Sequence, residues 1–246
     1  MYLKTKALVI HVTEYYNENV LLLLLTPDHG RISAKVKGIR RKNSTLSASC
    51  QLLAYSEFTL FEYRDMYTVN EASTIELFMP LRNDLLKLSL GTYFAQIGGT
   101  VALEDTPSSE ILSLTLNCLY ALSHLNVPDT QVKAVFELRM VSIAGYTPNL
   151  ECCVLCGSET PLYFDFAGGV LLCEQCGGYL QTPYQDIDPS ILEALRYILN
   201  CDPKKLFSFR VGDATLENLA ALTETYLLTQ FELCFPTLDF YKSLLN

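Results

Sequence analysis

Short-range alternation marks the first eighty residues, and the pattern changes after Pro80. "KALVIHV" is a short apolar run rich in branched side chains. "NVLLLLLT" is another, ending at the turn-forming Pro27-Asp28-His29-Gly30. "RISAKVKG" has a period of two: Ile32, Ala34 and Val36 fall on one side, and Arg31, Ser33, Lys35 and Lys37 on the other. A fourth run covers about 52–62, and "DMYTVNEASTIE" predicts a fifth strand. Five short strands with no helix between most of them predict a small closed barrel over residues 1–80.

Beyond Pro80 the apolar residues recur three and four apart, as in "LRNDLLKLSLGTYFAQIGGTVAL". Thr106-Pro107-Ser108-Ser109-Glu110 reads as a capped helix start, with Ile111, Leu112, Leu114, Leu116, Leu119 and Leu122 following. A helix from about Thr130 to Ala144 carries Val132, Val135, Phe136, Met140 and Ile143 on one stripe. Gly145 and Pro148 stop it. Helical periodicity returns at 189–200 and 214–234, with a short final turn near 237–245. A cysteine- and glycine-rich segment interrupts this part. The predicted class is therefore α+β and multidomain: a barrel at 1–80, a helical domain at 81–148 and 184–246, and an insert at 149–183.

Within the insert, Cys153 and Cys156, then Cys173 and Cys176, form two C-x2-C pairs. Zn²⁺ takes four thiolates in a tetrahedron at about 2.3 Å, and a two-residue spacing lets one tight turn aim both sulfurs at one point. Gly157 and Gly177 follow the pairs; a glycine there can take positive φ and turn backbone N–H groups toward the sulfurs. "YFDFAGGVLL" predicts a hairpin that returns the chain to the metal. Unliganded buried cysteines and a redox dithiol are the competing readings. Two spaced pairs argue against the first, and the absence of a βαβ pattern against the second. Four thiolates leave no open position for water, so the expected metal is a structural Zn²⁺ that folds an insert too small to hold itself. Cys152 adjoins Cys153 and competes as a ligand. Cys50, Cys118, Cys201 and Cys234 read as core positions.

Charge changes the picture further. The chain carries a formal −9, yet residues 1–42 hold eight Lys/Arg against three Asp/Glu, a net of +5. The remainder holds ten against twenty-four, a net of −14. Arg31, Lys35 and Lys37 lie on the polar side of the third strand, and Arg40, Arg41 and Lys42 follow Gly38. A barrel strand continued by a cationic loop is suited to tracking a nucleic-acid backbone. If about four of the six meet phosphates, the log–log salt slope on single strands is about −3. The plainer alternative is a solvated strand edge whose lysines block aggregation. Tyr55, Phe61 and Tyr63 alternate on one strand face and could stack bases or pack the barrel. Three scattered histidines and the lack of a phosphate-gripping glycine loop or nucleophile elbow speak against an enzyme. Nor is a membrane span or export signal visible, which points to the cytoplasm.

Three landmarks together resemble the RecO family of bacterial DNA repair proteins. They are the segment from Tyr2 through Lys37, Gly38, Arg40, Arg41 and Ser44; the stretch "FELRMVSIAGYTPNLECCVLCG"; and the closing "YKSLLN". The resemblance implies an amino-terminal oligonucleotide-binding barrel (an OB-fold), a helical domain and, in many members, a zinc finger. It also implies a non-enzymatic recombination mediator near the bacterial nucleoid that binds single- and double-stranded DNA and anneals complementary strands. With RecR, such a protein helps place RecA on strands coated by single-strand binding protein. That family's helical domain contacts the acidic tail of single-strand binding protein; here the expected positions are Lys133 and Arg139 flanking Phe136. The rival reading is a zinc-ribbon scaffold that binds protein and not DNA.

Overall fold

The computed structural model describes residues 1–15, 19–39, 44–64, 66–177 and 182–245. They fall into two units, Met1–Leu125 with Phe235–Asn246, and Asn126–Cys234.

The first unit is built on β1 (Tyr2–Tyr15), β2 (Asn19–Leu25), β3 (Arg31–Val36), β4 (Tyr55–Tyr63) and β5 (Met66–Glu76). All pairings are antiparallel except the parallel β3–β5, and the order β1-β2-β3-β5-β4 closes into a barrel when β4 returns to β1. The alternation in "RISAKVK" is realised residue for residue. Ile32, Ala34 and Val36 enter the core with Val9, Leu22, Leu24, Phe58 and Leu60, while Ser33 and Lys37 are exposed. Burying each large apolar side chain contributes about 1.5–3 kcal/mol. A one-residue slip of β3 would turn these outward and Lys35 inward, so the register is fixed.

After the short α1 (Met79–Arg82), α2 (Leu85–Val101) starts at Asp84, whose carboxylate accepts from the Lys87 N–H at 3.1 Å. Its small face lets it lie close to the barrel. A Cβ at Gly99 would stand 2.7 Å from Ile10 Cδ1, and one at Gly91 would meet Leu119 and Leu53 at 3.0 and 3.1 Å. α3 (Ser109–His124) and α8 (Pro236–Ser243) complete the unit, with Tyr93 of α2 edge-on to Phe235 at 5.9 Å. The β2–β3 turn is stitched to the α2–α3 connection: Arg31 N–H donates to Leu103 O at 3.2 Å and Asp105 N–H to His29 O at 3.1 Å. Gly30 sits there at φ 60°, where a Cβ would fall 1.7 Å from Leu103 O.

The second unit holds α4 (Asp129–Ile143), α6 (Pro189–Asn200) and α7 (Asp213–Phe231). Between α4 and α6 lie β6 (Asn149–Cys153), β7 (Tyr163–Asp165), β8 (Val170–Leu172), α5 (Glu174–Gly177) and β9 (Tyr184–Asp186), the strands forming a sheet of order β6-β8-β7-β9. The division thus differs from the expected one. The glycine face of α2 keeps α2, α3 and α8 with the barrel, and only α4, α6 and α7 accompany the cysteine segment. That segment, expected to be too small to hold itself, also leans on α7. Phe164, fully buried, meets Tyr226 of α7 edge-on at 5.2 Å, and Gln230 Nε2 donates to Phe166 O at 2.8 Å.

Candidate nucleic-acid interface and candidate metal centre

Register decides which outward residues of the barrel meet. Leu21 of β2 pairs with Lys35, and Lys35 pairs with Thr68 of β5. The parallel β3–β5 pairing therefore brings the end of β3 beside the start of β5, and with it the β4–β5 turn, where Tyr63 pairs with Met66. On the other side, Tyr15 pairs with Asn19 at the β1–β2 hairpin. One rim of the barrel so gathers Tyr15, Lys35, Lys37, Tyr63 and Arg64. Lys35 Nζ stands 4.7 Å from the centre of the Tyr15 ring, a cation–π contact that steers the ammonium without neutralising it. The Arg64 guanidinium lies 5.1 Å over Tyr63. Gly38, at φ 63°, donates its N–H to Asn19 Oδ1 at 3.1 Å, anchoring the chain as it leaves β3. Among the described residues neither Lys35 nor Lys37 forms an ion pair with a carboxylate.

Arg31 does not join this cluster. It lies four residues back along β3, about 13 Å from Lys35. Its Nη1 donates to Gly99 O at 3.0 Å, in the last turn of α2, where a cation meets carbonyls that lack intrahelical partners. Arg31 is a brace between barrel and helix. Arg40, Arg41 and Lys42 lie outside the described residues. Of the aromatic trio, Tyr55 is half-buried, while Phe61 at 39% and Tyr63 at 60% exposure face outward and do not fill the barrel. Tyr15 and Arg64 were not legible as site residues in the sequence; only strand register brings them to the rim.

Lys133, Phe136 and Arg139 form no exposed slot. Phe136 is fully buried, and Lys133 is 5% exposed with its Nζ at 2.8 Å from both Glu137 and Glu224. Burial alone would lower the Lys133 pKa, but the two carboxylates and their hydrogen bonds outweigh it and hold the ammonium above its ordinary value. Arg139 donates to the carbonyls of Leu199 and Cys201 at 3.1 and 2.6 Å, capping the end of α6. The physical reason is that α4 is enclosed on nearly every face, Gln131 and Glu137 included, so its polar residues are partnered inside the unit.

The cysteine pairs converge as the spacing implies. The sulfurs of Cys153, Cys156, Cys173 and Cys176 all lie within 4.8 Å of one another, and Cys156 Sγ is 3.6 Å from Cys173 Sγ. Tetrahedral thiolates at about 2.3 Å from a zinc ion stand about 3.8 Å apart, so this donor set fits that ion. Cys152 is outside the group, because alternation along β6 turns it away from Cys153. Burial would raise the Cys153 thiol, yet N–H groups of Cys156, Cys173 and Leu155 overcome this and bring it down to about 6. Gly157 takes φ 74° as expected. Gly177 serves differently: a Cβ there would strike the Tyr163 ring at 2.3 Å, so it permits a close approach and not a reversed turn. The hairpin is present as β7–β8, with Tyr163 opposite Leu172. Of the remaining cysteines, Cys50 and Cys118 are buried, whereas Cys234 is exposed and Cys201 half-buried, so the last two are not core residues.

Residues 1–78 match the family described as Recombination protein O N terminal, and residues 82–238 match Recombination protein O C terminal. DNA repair protein RecO of Acetivibrio thermocellus is 38% identical over 249 residues, covering 99% of this chain and 97% of that protein. The RecO of Heliobacterium modesticaldum is 30% identical over 227 residues, covering 89% and 81%. That of Alkaliphilus metalliredigens is 28% identical over 247 residues, covering 99% and 100%. With both halves matched and an identity of 38% along nearly its whole length, this chain belongs to the RecO family.

Proposed function

We propose that the chain is a recombination mediator of DNA repair that binds single- and double-stranded DNA and anneals complementary strands. With RecR it helps place RecA on strands coated by single-strand binding protein. It is a binding protein and not an enzyme, working in the cytoplasm near the nucleoid; no helix among the described residues is long and apolar enough to cross a membrane. The observation that carries this reading is the pair Lys35 and Lys37, outward on one barrel rim and without carboxylate partners among the described residues, in a chain of net charge −9. The strand order supports reading the barrel as an OB-fold, whose second and third strands and β4–β5 loop offer a track for a polyanion.

Annealing asks for no catalytic acid. Cations between two phosphate chains lower their repulsion long enough for bases to pair. Cys153, Cys156, Cys173 and Cys176 would hold a Zn²⁺ whose role would be structural, contributing to folding of the second unit. RecR and the acidic tail of single-strand binding protein are the implied protein partners. Lys133, Phe136 and Arg139 are too enclosed to receive that tail, so its contact lies elsewhere.

The test is DNA affinity against salt, by fluorescence anisotropy, for the full chain and for Lys35→Ala/Lys37→Ala. Loss of two phosphate contacts should make the single-strand log–log slope shallower by about 1.4 with the thermal melt unchanged. Equal affinity and slope in the two proteins would overturn the reading and favour a zinc-ribbon scaffold that binds only protein.

A further inference from the structure

Tyr2 of β1 and Phe61 of β4 have no part in the reading above, yet register ties them to it. Lys35 pairs with Thr68, Thr68 with Phe61, and Phe61 with Tyr2. These four residues form one row running across β3, β5, β4 and β1 on the outer surface. At the usual strand spacing the row is about 14 Å long. It begins at Lys35, whose ammonium forms no ion pair among the described residues, and ends at two rings whose centres are 5.2 Å apart. Those rings are tilted by 54° and not stacked, and with Tyr2 62% and Phe61 39% exposed, each keeps a face toward solvent. Lys4, on the same outward side of β1, is held by Glu57 at 2.9 Å, whereas Lys35 has no carboxylate partner among the described residues.

We propose that Phe61 and Tyr2 form a base-stacking platform that continues the cationic rim and favours single-stranded over duplex DNA. The inference rests on the DNA-binding reading and adds to it a strand preference and the residues that set it. A duplex hides the faces of its bases, whereas a single strand whose phosphates lie along Lys35 and Lys37 can lay bases on the rings about 10 to 14 Å farther along the row. A protein partner fits the patch less well. The core of a protein interface is depleted of charge, and here the exposed Lys4–Glu57 ion pair follows Tyr2 on the same outward side of β1.

The experiment compares the full chain with Phe61→Leu and Tyr2→Leu, which keep apolar bulk but remove the π-face. Each is titrated with a single-stranded oligonucleotide carrying 2-aminopurine and with the matching duplex. Each substitution should weaken single-strand binding about tenfold, abolish part of the 2-aminopurine quenching, and leave duplex affinity and the salt slope unchanged. If both ligands weaken together, or neither does, the platform is refuted while salt-dependent binding by the unaltered chain upholds the DNA reading. If the unaltered chain binds neither ligand, the DNA reading itself fails. Tyr2 is the safer probe should Phe61→Leu alter the melt, because its side chain lies mostly in solvent.

Discussion

Lys133→Met removes one charge from the second unit and little volume. The lysine is 5% exposed, and its ammonium lies 2.8 Å from Glu137 and 2.8 Å from Glu224. Its pKa in the folded chain stands above the ordinary lysine value, so its contribution is complete below that value and fades only as pH rises through the higher, folded one. At neutral pH the triad is therefore whole. Methionine would leave Glu137, fully buried, with the Thr223 hydroxyl at 2.9 Å but without its nearest counter-charge. Stranding a buried partner in this way costs about 3–5 kcal/mol. With a urea dependence of about 2 kcal/mol per M, the midpoint of unfolding should fall by about 2 M. The stranded carboxylate is relieved by taking up a proton, so the loss should shrink between about pH 8 and about pH 5. Adding Glu137→Leu should recover most of it, since an apolar pair of similar size replaces a buried ion pair at little cost. A loss below about 1 kcal/mol, or one that ignores both pH and the second substitution, would refute the account.

Other outcomes follow from the same geometry. Gly30→Ala should destabilise by more than about 2 kcal/mol, because strain at φ 60° is compounded by a Cβ placed 1.7 Å from Leu103 O. Gly145→Ala, at φ 98° with nothing within 4 Å of the added carbon, should cost only about 1 kcal/mol; calorimetry that found the two equal would contradict this ranking. Cys156→Ser should lower zinc content measured by atomic emission and expose 149–186 to proteolysis while the barrel stays resistant, whereas the same change at Cys152 should leave the zinc in place. Arg139→Lys should not restore the cap on α6, since a lysine cannot span two carbonyls as the guanidinium does; a loss of about 1–3 kcal/mol in chemical denaturation is expected.

The barrel was legible because its signals are local. Period two in "RISAKVK" and the turn at Pro27–Gly30 need no distant partner, and the helix ends at Gly145 and at Asn200 obey the same local grammar. The four cysteines were legible because spacing alone restricts what two tight turns can hold. What failed was non-local. Lys133 and Arg139 were expected to flank Phe136 as a slot for an acidic tail, but Glu224 from α7 and two carbonyls from the end of α6 claim them. Likewise the fidelity of α2 to the barrel depends on what its glycines touch, Ile10 and Leu53, which no window along the chain reveals. Tyr15 and Arg64 looked like ordinary strand and turn residues until pairing set them beside Lys35 and Tyr63.

Phe235–Asn246 belongs to the same unit as residues 1–125, with everything from 126 to 234 threaded between. On the ribosome this imposes an order. The barrel's own strands emerge early, but α2 waits with its Tyr93 side uncovered until Phe235, Leu238 and Tyr241 leave the exit tunnel. By then the whole of 126–234 has been translated and can already have collapsed around its four converging cysteines. The nascent amino-terminal half thus carries a sticky apolar flank through most of its synthesis, which is the interval in which a chaperone would be needed.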